Sequence, residues 1–369
     1  MKTVIKSINT TGVAIFILLS ILLLPLLANA ALEIKSPDGN SSIKFGILGQ
    51  VQAESLTTPD GEATSKDLYL RRARILLGGN IIENLSFFME TDSPNLGKVG
   101  NSATGATAKG SSDAYIQDAF VTYTISNEFK VDAGMMLLPL SHNAGQSAAS
   151  LLGIDYGPYS FLWSAPTESR VGRDYGLQAR GYLGDNHFEY RLGVFQGVRG
   201  VNSTNPERIM ARVVYYPFQA ETGFFYAGSY LGEKKVLGIG MSLDHQDDYT
   251  AYGTDIFLDL PLANKDVVTA QVDFTHYDGG TFITAIPKQN VIFAEAGYYF
   301  QALKIEPFVQ VNYENMTSES LSDKHFMQAG LAYYIKGQNL NVKLGIGQFG
   351  GDGIKNQTQV LLRMQAYIF

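Results

Sequence analysis

The sequence contains no cysteine, which removes structural disulfides, thiolate zinc sites, thiol nucleophiles and haem attached through a C-x-x-C-H motif. Histidine is scarce. His142, His187, His245, His276 and His325 are scattered with no i, i+4 pair, so each reads as a polar strand or loop residue rather than a metal ligand. No G-x-S-x-G or comparable signature supplies a nucleophile with its base, which argues against a hydrolase. Neither a cofactor nor a metal is expected. Positive charge is not in excess either: 28 basic residues stand against 35 acidic ones, which does not suit a nucleic-acid partner. Beyond residue 27 no stretch approaches the roughly 18 apolar residues of a membrane-spanning helix, so any bilayer crossing has to use strands.

The one apolar run lies at the N-terminus. Met1-Lys2 and Lys6 form a basic start, Val13 to Leu27 is apolar apart from Ser20 and Pro25, and Ala28-Asn29-Ala30 has the small-x-small form of a signal-peptidase site. Residues 1–30 are therefore expected to be a cleaved secretory signal and residues 31–369 a single domain. Removing the signal takes away two lysines and no acid, leaving 26 basic and 35 acidic side chains.

What remains is rich in Gly (38), Tyr (21) and Phe (21) with one Trp, and it reads as segments of about ten residues with alternating polarity. In Ile43 to Glu54, the odd positions Ile43, Phe45, Ile47, Gly49 and Val51 are apolar or small and the even ones mostly polar. In His187 to Gln196, Phe188, Tyr190, Leu192 and Val194 alternate with Glu189 and Arg191. Alternation alone fits a soluble sandwich as well as a barrel. Linker lengths separate the two. Short turns near 79–84, 126–127, 184–186 and 337–338 alternate with long segments near 56–66, 93–113, 138–173, 197–206 and 279–289, the rhythm of a transmembrane barrel with short periplasmic turns and long outer loops. Counting every alternating run gives seventeen strands, an odd number foreign to bacterial single-chain barrels. Gly223 to Leu231 is the surplus. Assigned to the connection between strands at 207–216 and 234–246, it leaves sixteen in an all-β antiparallel barrel of the outer membrane, wide enough for an aqueous channel.

The last residues, Tyr367-Ile368-Phe369, resemble the C-terminal signal read by the outer-membrane barrel assembly machinery, with Tyr367 and Phe369 as its aromatic positions. Their parity leads back to Gln365 and Arg363, whereas Val360, Leu362, Met364 and Ala366 form the apolar face, so a bulge or a parity change is expected near the end.

Three motifs carry a family resemblance: Leu70-Arg71-Arg72-Ala73-Arg74-Ile75 with Gly78, Phe87-Phe88-Met89-Glu90, and Gly172-Arg173-Asp174-Tyr175-Gly176. With them the chain resembles the phosphate-selective porin O and P family. The resemblance implies a sixteen-stranded, trimeric porin with its long third loop folded into the lumen, surrounded by outer-membrane lipid and passing small anions or other hydrophilic solutes.

Strand parity turns Arg72, Arg74, Arg180, Arg191, Arg208 and Arg212 inward, because an arginine on the lipid face at mid-depth costs about 2 to 4 kcal/mol. Together with Arg170 and Arg173 they are candidates for an anion-favouring wall. The alternative is that they pair with inward acids such as Glu90, Asp92, Asp118, Asp132 and Glu189 and brace the barrel. Lysines of the C-terminal half (Lys304, Lys324, Lys336, Lys343) look dispersed, so a phosphate ladder is not evident. The segment 138–172 is the candidate constriction loop, with Tyr156, Tyr159 and Trp163 as its aromatics and Glu168 among its charges. Two rival functions remain open on the sequence: a barrel sheathing a multihaem cytochrome, and a sugar channel in which Tyr156, Tyr159 and Trp163 form a stacking track.

Overall fold

A computed structural model describes residues 32–99, 113–160 and 172–369. The expected signal peptide lies outside the described residues, as do Phe161, Trp163, Glu168 and Arg170 of the third loop.

A short strand, β1 (Leu32–Lys35), precedes the barrel strands β2 (Ser42–Thr57), β3 (Thr64–Ile82), β4 (Leu85–Asp92), β5 (Tyr115–Thr124), β6 (Lys130–Leu137), β7 (Arg173–Leu183), β8 (Phe188–Phe195) and β9 (Arg208–Tyr215). After these come β10 (Val236–Gln246), β11 (Tyr249–Pro261), β12 (Val267–Asp278), β13 (Gln289–Tyr299), β14 (Ile305–Met316), β15 (Lys324–Lys336), β16 (Leu340–Gly351) and β17 (Ile354–Ile368). Strands β2 to β17 pair antiparallel with their sequence neighbours, and β17 pairs back onto β2, so sixteen strands close into a barrel. β1 extends the wall: it pairs with Ser42 to Phe45 of β2, below the point where β17 stops opposite Ile47. The sequence reading had left β1 out.

The alternating pattern fixes which side chain faces where. Phe188, Leu192 and Val194 of β8 are exposed on the outer face while Glu189 and Arg191 are buried inside, and β2 divides in the same way, with Ile43, Phe45, Ile47 and Val51 outward and Gln50, Gln52 and Glu54 inward. Apolar side chains on the outer surface, which a soluble fold would hide, suit a lipid surround. A register shift at Gln50/Val51 opposite Arg72 and Leu70 lets both Arg71 and Arg72 reach inward.

Gly223 to Leu231 lies in a connection, 216–235, as the strand count required. The bulge expected near the C-terminus is absent: β17 keeps an unbroken register with β16 from Gln357 to Ala366 and with β2 from Gln359 to Ile368. Tyr367 and Phe369 therefore keep the inward parity of Arg363 and Gln365. Both pack beside Leu48, Leu76, Ala148 and Ala149. Phe369 meets Phe88 edge-on at 5.7 Å and Lys44 lies 4.6 Å from its ring centre. A Cβ on Gly46 or Gly78 would come within 2.5 and 2.8 Å of that ring, which explains the glycine in the second-strand motif. The terminal aromatics thus pack into the barrel rather than on its lipid-facing surface.

At the end that carries β1 and Phe369 the connections are 83–84, 125–129, 184–187, 262–266, 300–304 and 337–339, with 216–235 the long exception. Gly184, Asp185 and Asn186 all have positive φ (58°, 54° and 70°), so the Gly-Asp-Asn run is there because few other residues would make that turn. This short-turn end is the periplasmic one.

Candidate functional site

The channel axis of a barrel is lined by whatever its inward side chains present, so the site is built strand by strand. In the sector from β3 to β9 each inward arginine meets a carboxylate. Arg74 bonds Glu90 (2.6 Å) and Asp92 (2.9 Å), Arg173 bonds Asp118 (3.1 Å), and Arg180 bonds Asp132 (2.7 Å). Arg191 bonds Glu189 (2.6 Å), Arg208 joins Asp174 (3.2 Å) and Asp244 (Nε to Oδ1, 2.7 Å), and Arg212 is bidentate on Asp255 (2.6 and 2.8 Å). These are charge-assisted bonds between buried partners within the wall. Each of these arginines is thus held by at least one carboxylate of the wall. Asp174, Asp244 and Asp255 were not among the acids that the sequence singled out.

Arg71 and Arg72 differ, because their carboxylate comes from a loop. Asp155 accepts from Arg71 Nε (2.6 Å) and Arg72 Nη2 (2.7 Å), and the Tyr156 ring lies 5.3 Å from the Arg72 guanidinium carbon. Burial alone would raise the Asp155 carboxyl, but Arg71, Arg72 and the more distant Arg363 outweigh it and hold it well below the usual carboxylate range.

The sector from β11 to β17 is unlike both. Asp259, Asp273, Glu295 and Glu306 are buried and inward, and among the described residues none has a basic group within ion-pair distance. Their partners are neutral: Thr269 and the Tyr230 N–H for Asp259, Gln271 and the Asn143 N–H for Asp273, Gln310 for Glu295, and the Tyr334 hydroxyl for Glu306. Lys343 and Arg363 sit directly opposite each other on β16 and β17, both only 1% exposed. Lys343 Nζ donates to the carbonyls of Leu151, Leu152 and Gly153 (the last two at 3.0 Å), whereas Arg363 Nε and Nη1 have no hydrogen-bond partner among the described residues. The dispersed lysines of the sequence thus include one buried on the inward face of the wall. Parity carried the signal for Arg363, which shares the inward face of Gln365 and Tyr367.

The described part of the third connection, 138–160, lies against inward side chains. Gln50 and Gln365 donate to the Ala148 and Ala149 carbonyls (3.0 and 2.7 Å), Gln310 to that of Asp155 (2.9 Å), and Asn312 accepts from Tyr159 N (2.7 Å). A single helical turn, α1 (His142–Gly145), is capped by Ser141. Tyr156 donates to the Gln146 carbonyl (2.8 Å) and Tyr159 packs with Tyr249, Tyr277 and Phe326, so neither ring is free to form an open track.

Across residues 45–248, more than half of the chain, the sequence matches the family model described as phosphate-selective porin O and P. The chain belongs to that family. Among solved structures, this porin is similar to the anion-selective porin from Comamonas acidovorans (12% identity, TM-score 0.61, 89% of this chain and 100% of that one). It is also similar to the outer membrane channel DcaP of Acinetobacter baumannii (11%, 0.57, 92% and 100%) and to the trimer form of OmpT from Vibrio cholerae (11%, 0.54, 89% and 99%). No curated protein matches the sequence. At such identities the structural matches speak for the fold alone, the closed antiparallel barrel of outer-membrane porins.

Proposed function

We propose that this porin, exported by cleavage of residues 1–30 and assembled as a trimer like the OmpT form it resembles, conducts small hydrophilic solutes with a modest preference for anions. One observation carries the preference: Arg363 is buried on the inward face opposite Lys343, and its Nε and Nη1 have no hydrogen-bond partner among the described residues. A cation so placed favours an anion in the lumen. The preference is modest because Asp259, Asp273, Glu295 and Glu306 line the same sector with, among the described residues, no basic group within ion-pair distance. Phosphate is one of the anions admitted, with no lysine ladder to make it exclusive. Segment 138–160, held by Lys343, Gln50 and Gln365, acts as the constriction, and Tyr367 and Phe369 serve both as the assembly signal and as the inner seal of the mouth. Neither a cytochrome sheath nor a sugar track gains support from a specific contact.

Single-channel recording of refolded residues 31–369 in a planar bilayer under a potassium chloride gradient tests this reading. Discrete open steps with a reversal potential on the anion side are expected. A folded barrel that gives cation-selective steps would overturn the preference, and one that gives none would overturn the channel.

A further inference from the structure

The connection 216–235 is the long exception at the periplasmic end, and it turns into the barrel. Phe224 stacks on Phe120 of β5 at 4.3 Å, Phe225 meets Phe88 of β4 edge-on at 5.5 Å, and Tyr226 is 1% exposed. The Tyr226 hydroxyl accepts from Arg212 Nε (3.0 Å) and donates to Glu189 (3.1 Å). There the segment meets the third connection, which enters from the opposite end. Tyr226 N donates to the Gly145 carbonyl and Ser147 N to the Tyr226 carbonyl, both at 2.9 Å, while Gly228 N and Ser229 N converge on the Ser150 carbonyl at 2.9 and 3.1 Å. Glu221 reaches His142 Nε2 at 2.9 Å. The fit is close: a Cβ on Gly145 would come within 2.5 Å of the Tyr226 ring, and one on Gly228 within 2.6 Å of Leu152 N.

We propose that 216–235 is a periplasmic plug latched to segment 138–160, and that this porin opens when the plug withdraws toward the periplasm. This rests on the channel reading above. Three features make this segment the one that moves. The wall closes without it, since β9 and β10 pair directly from Ile209 to Tyr215. Its stem is pinched, Gln219 N donating to the Lys235 carbonyl (3.0 Å) and Lys235 N to the Gln219 side chain (2.7 Å), so the residues between can swing as one body. Its departure leaves the wall arginines their carboxylates, since Arg191 keeps Glu189 and Arg212 keeps both oxygens of Asp255; Asp259 gives up the Tyr230 N–H but keeps Thr269, and His142 gives up Glu221 but keeps Gln271. Withdrawing 138–160 instead would strip Asp155 from Arg71 and Arg72 and three carbonyls from Lys343. Uncompensated buried charge makes that the costlier motion.

The chain lacks cysteine, so a disulfide can be introduced cleanly. Planar-bilayer currents in potassium chloride would be recorded for the S150C/S229C variant, oxidised and then reduced, beside the native chain and Gly228→Leu, whose side chain wedges the two segments apart. The latch predicts a silent oxidised variant, native steps after reduction, and a severalfold higher open probability for Gly228→Leu. Native steps from the oxidised variant, or a Gly228→Leu record identical to the native one, would overturn the latch while leaving the channel reading intact. Silence from all four samples, each verified as folded, would overturn the channel reading and the latch with it.

Discussion

The two halves of the barrel wall handle charge in opposite ways. From β3 to β9, arginines and carboxylates stand close enough for each guanidinium to be satisfied by the wall or by Asp155. From β11 to β17, Arg212 holds Asp255 and Lys324 holds Glu314 (2.8 Å), but four other inward carboxylates and the pair Lys343 and Arg363 are buried with, among the described residues, neutral partners or none. Abundance of arginine therefore does not locate the free field. A paired charge contributes little to the potential along the axis and much to the wall's integrity, whereas an unpaired one does the reverse. Selectivity is expected from the sector with fewer arginines.

The strongest way to sharpen that contrast is to break a pair. Arg212→Ala leaves Asp255 buried and alone, so the barrel should lose about 3 to 5 kcal/mol, read as an earlier midpoint in denaturant unfolding. Replacing Arg212 and Asp255 together by leucine should restore most of the loss. Arg363→Gln reverses the pattern: stability should stay within about 1 kcal/mol of native or rise, since a buried guanidinium with unmet donors is removed and Asp155 still has Arg71 and Arg72, while the reversal potential moves away from the anion side. A smaller effect of opposite sign is expected for Glu306→Gln, which should strengthen anion preference in the same measurement.

The smallest effect concerns pH and the latch. His142 faces Glu221, with Asp255 and Asp273 farther off and Gln271, Gln146, Tyr226 and Phe257 around it. Burial disfavours its charged form, but Glu221 and the two aspartates outweigh this and raise its pKa above the ordinary histidine value. A raised pKa means that the ion pair is fully present below the ordinary value and is lost as pH climbs through the raised one. Open probability should rise on the alkaline side, and His142→Gln should flatten that dependence. A native channel whose open probability is flat across that range would contradict the role of the His142 and Glu221 pair.

Much of the architecture was legible because it depends on alternation. β8, β9 and the inward arginines follow from period-two patterning, and linker rhythm placed Gly223 to Leu231 in a connection. What lay beyond reach depends on partners distant in sequence. Parity turns Arg208 inward, yet only tertiary pairing brings it to Asp174 and Asp244. Arg363 was obscured for a different reason: its parity agreed with Gln365, Tyr367 and Phe369, but Val360, Leu362, Met364 and Ala366 form the apolar face on the other parity, so aromatics in line with the polar face looked like the sign of an irregularity. The course of 216–235 was hidden as well, since a polar-aromatic connection can lie on the surface or turn inward with the same composition, and the choice is made by Phe120, Glu189 and His142.

The central claim is that the unpaired sector, not the arginine-rich one, sets ion preference. Reversal potentials of Arg363→Gln and Arg180→Gln, recorded side by side under the same potassium chloride gradient, test it most directly. The account predicts a shift away from the anion side for Arg363→Gln and a value close to native for any Arg180→Gln channels that fold. A large shift for Arg180→Gln with none for Arg363→Gln would contradict it.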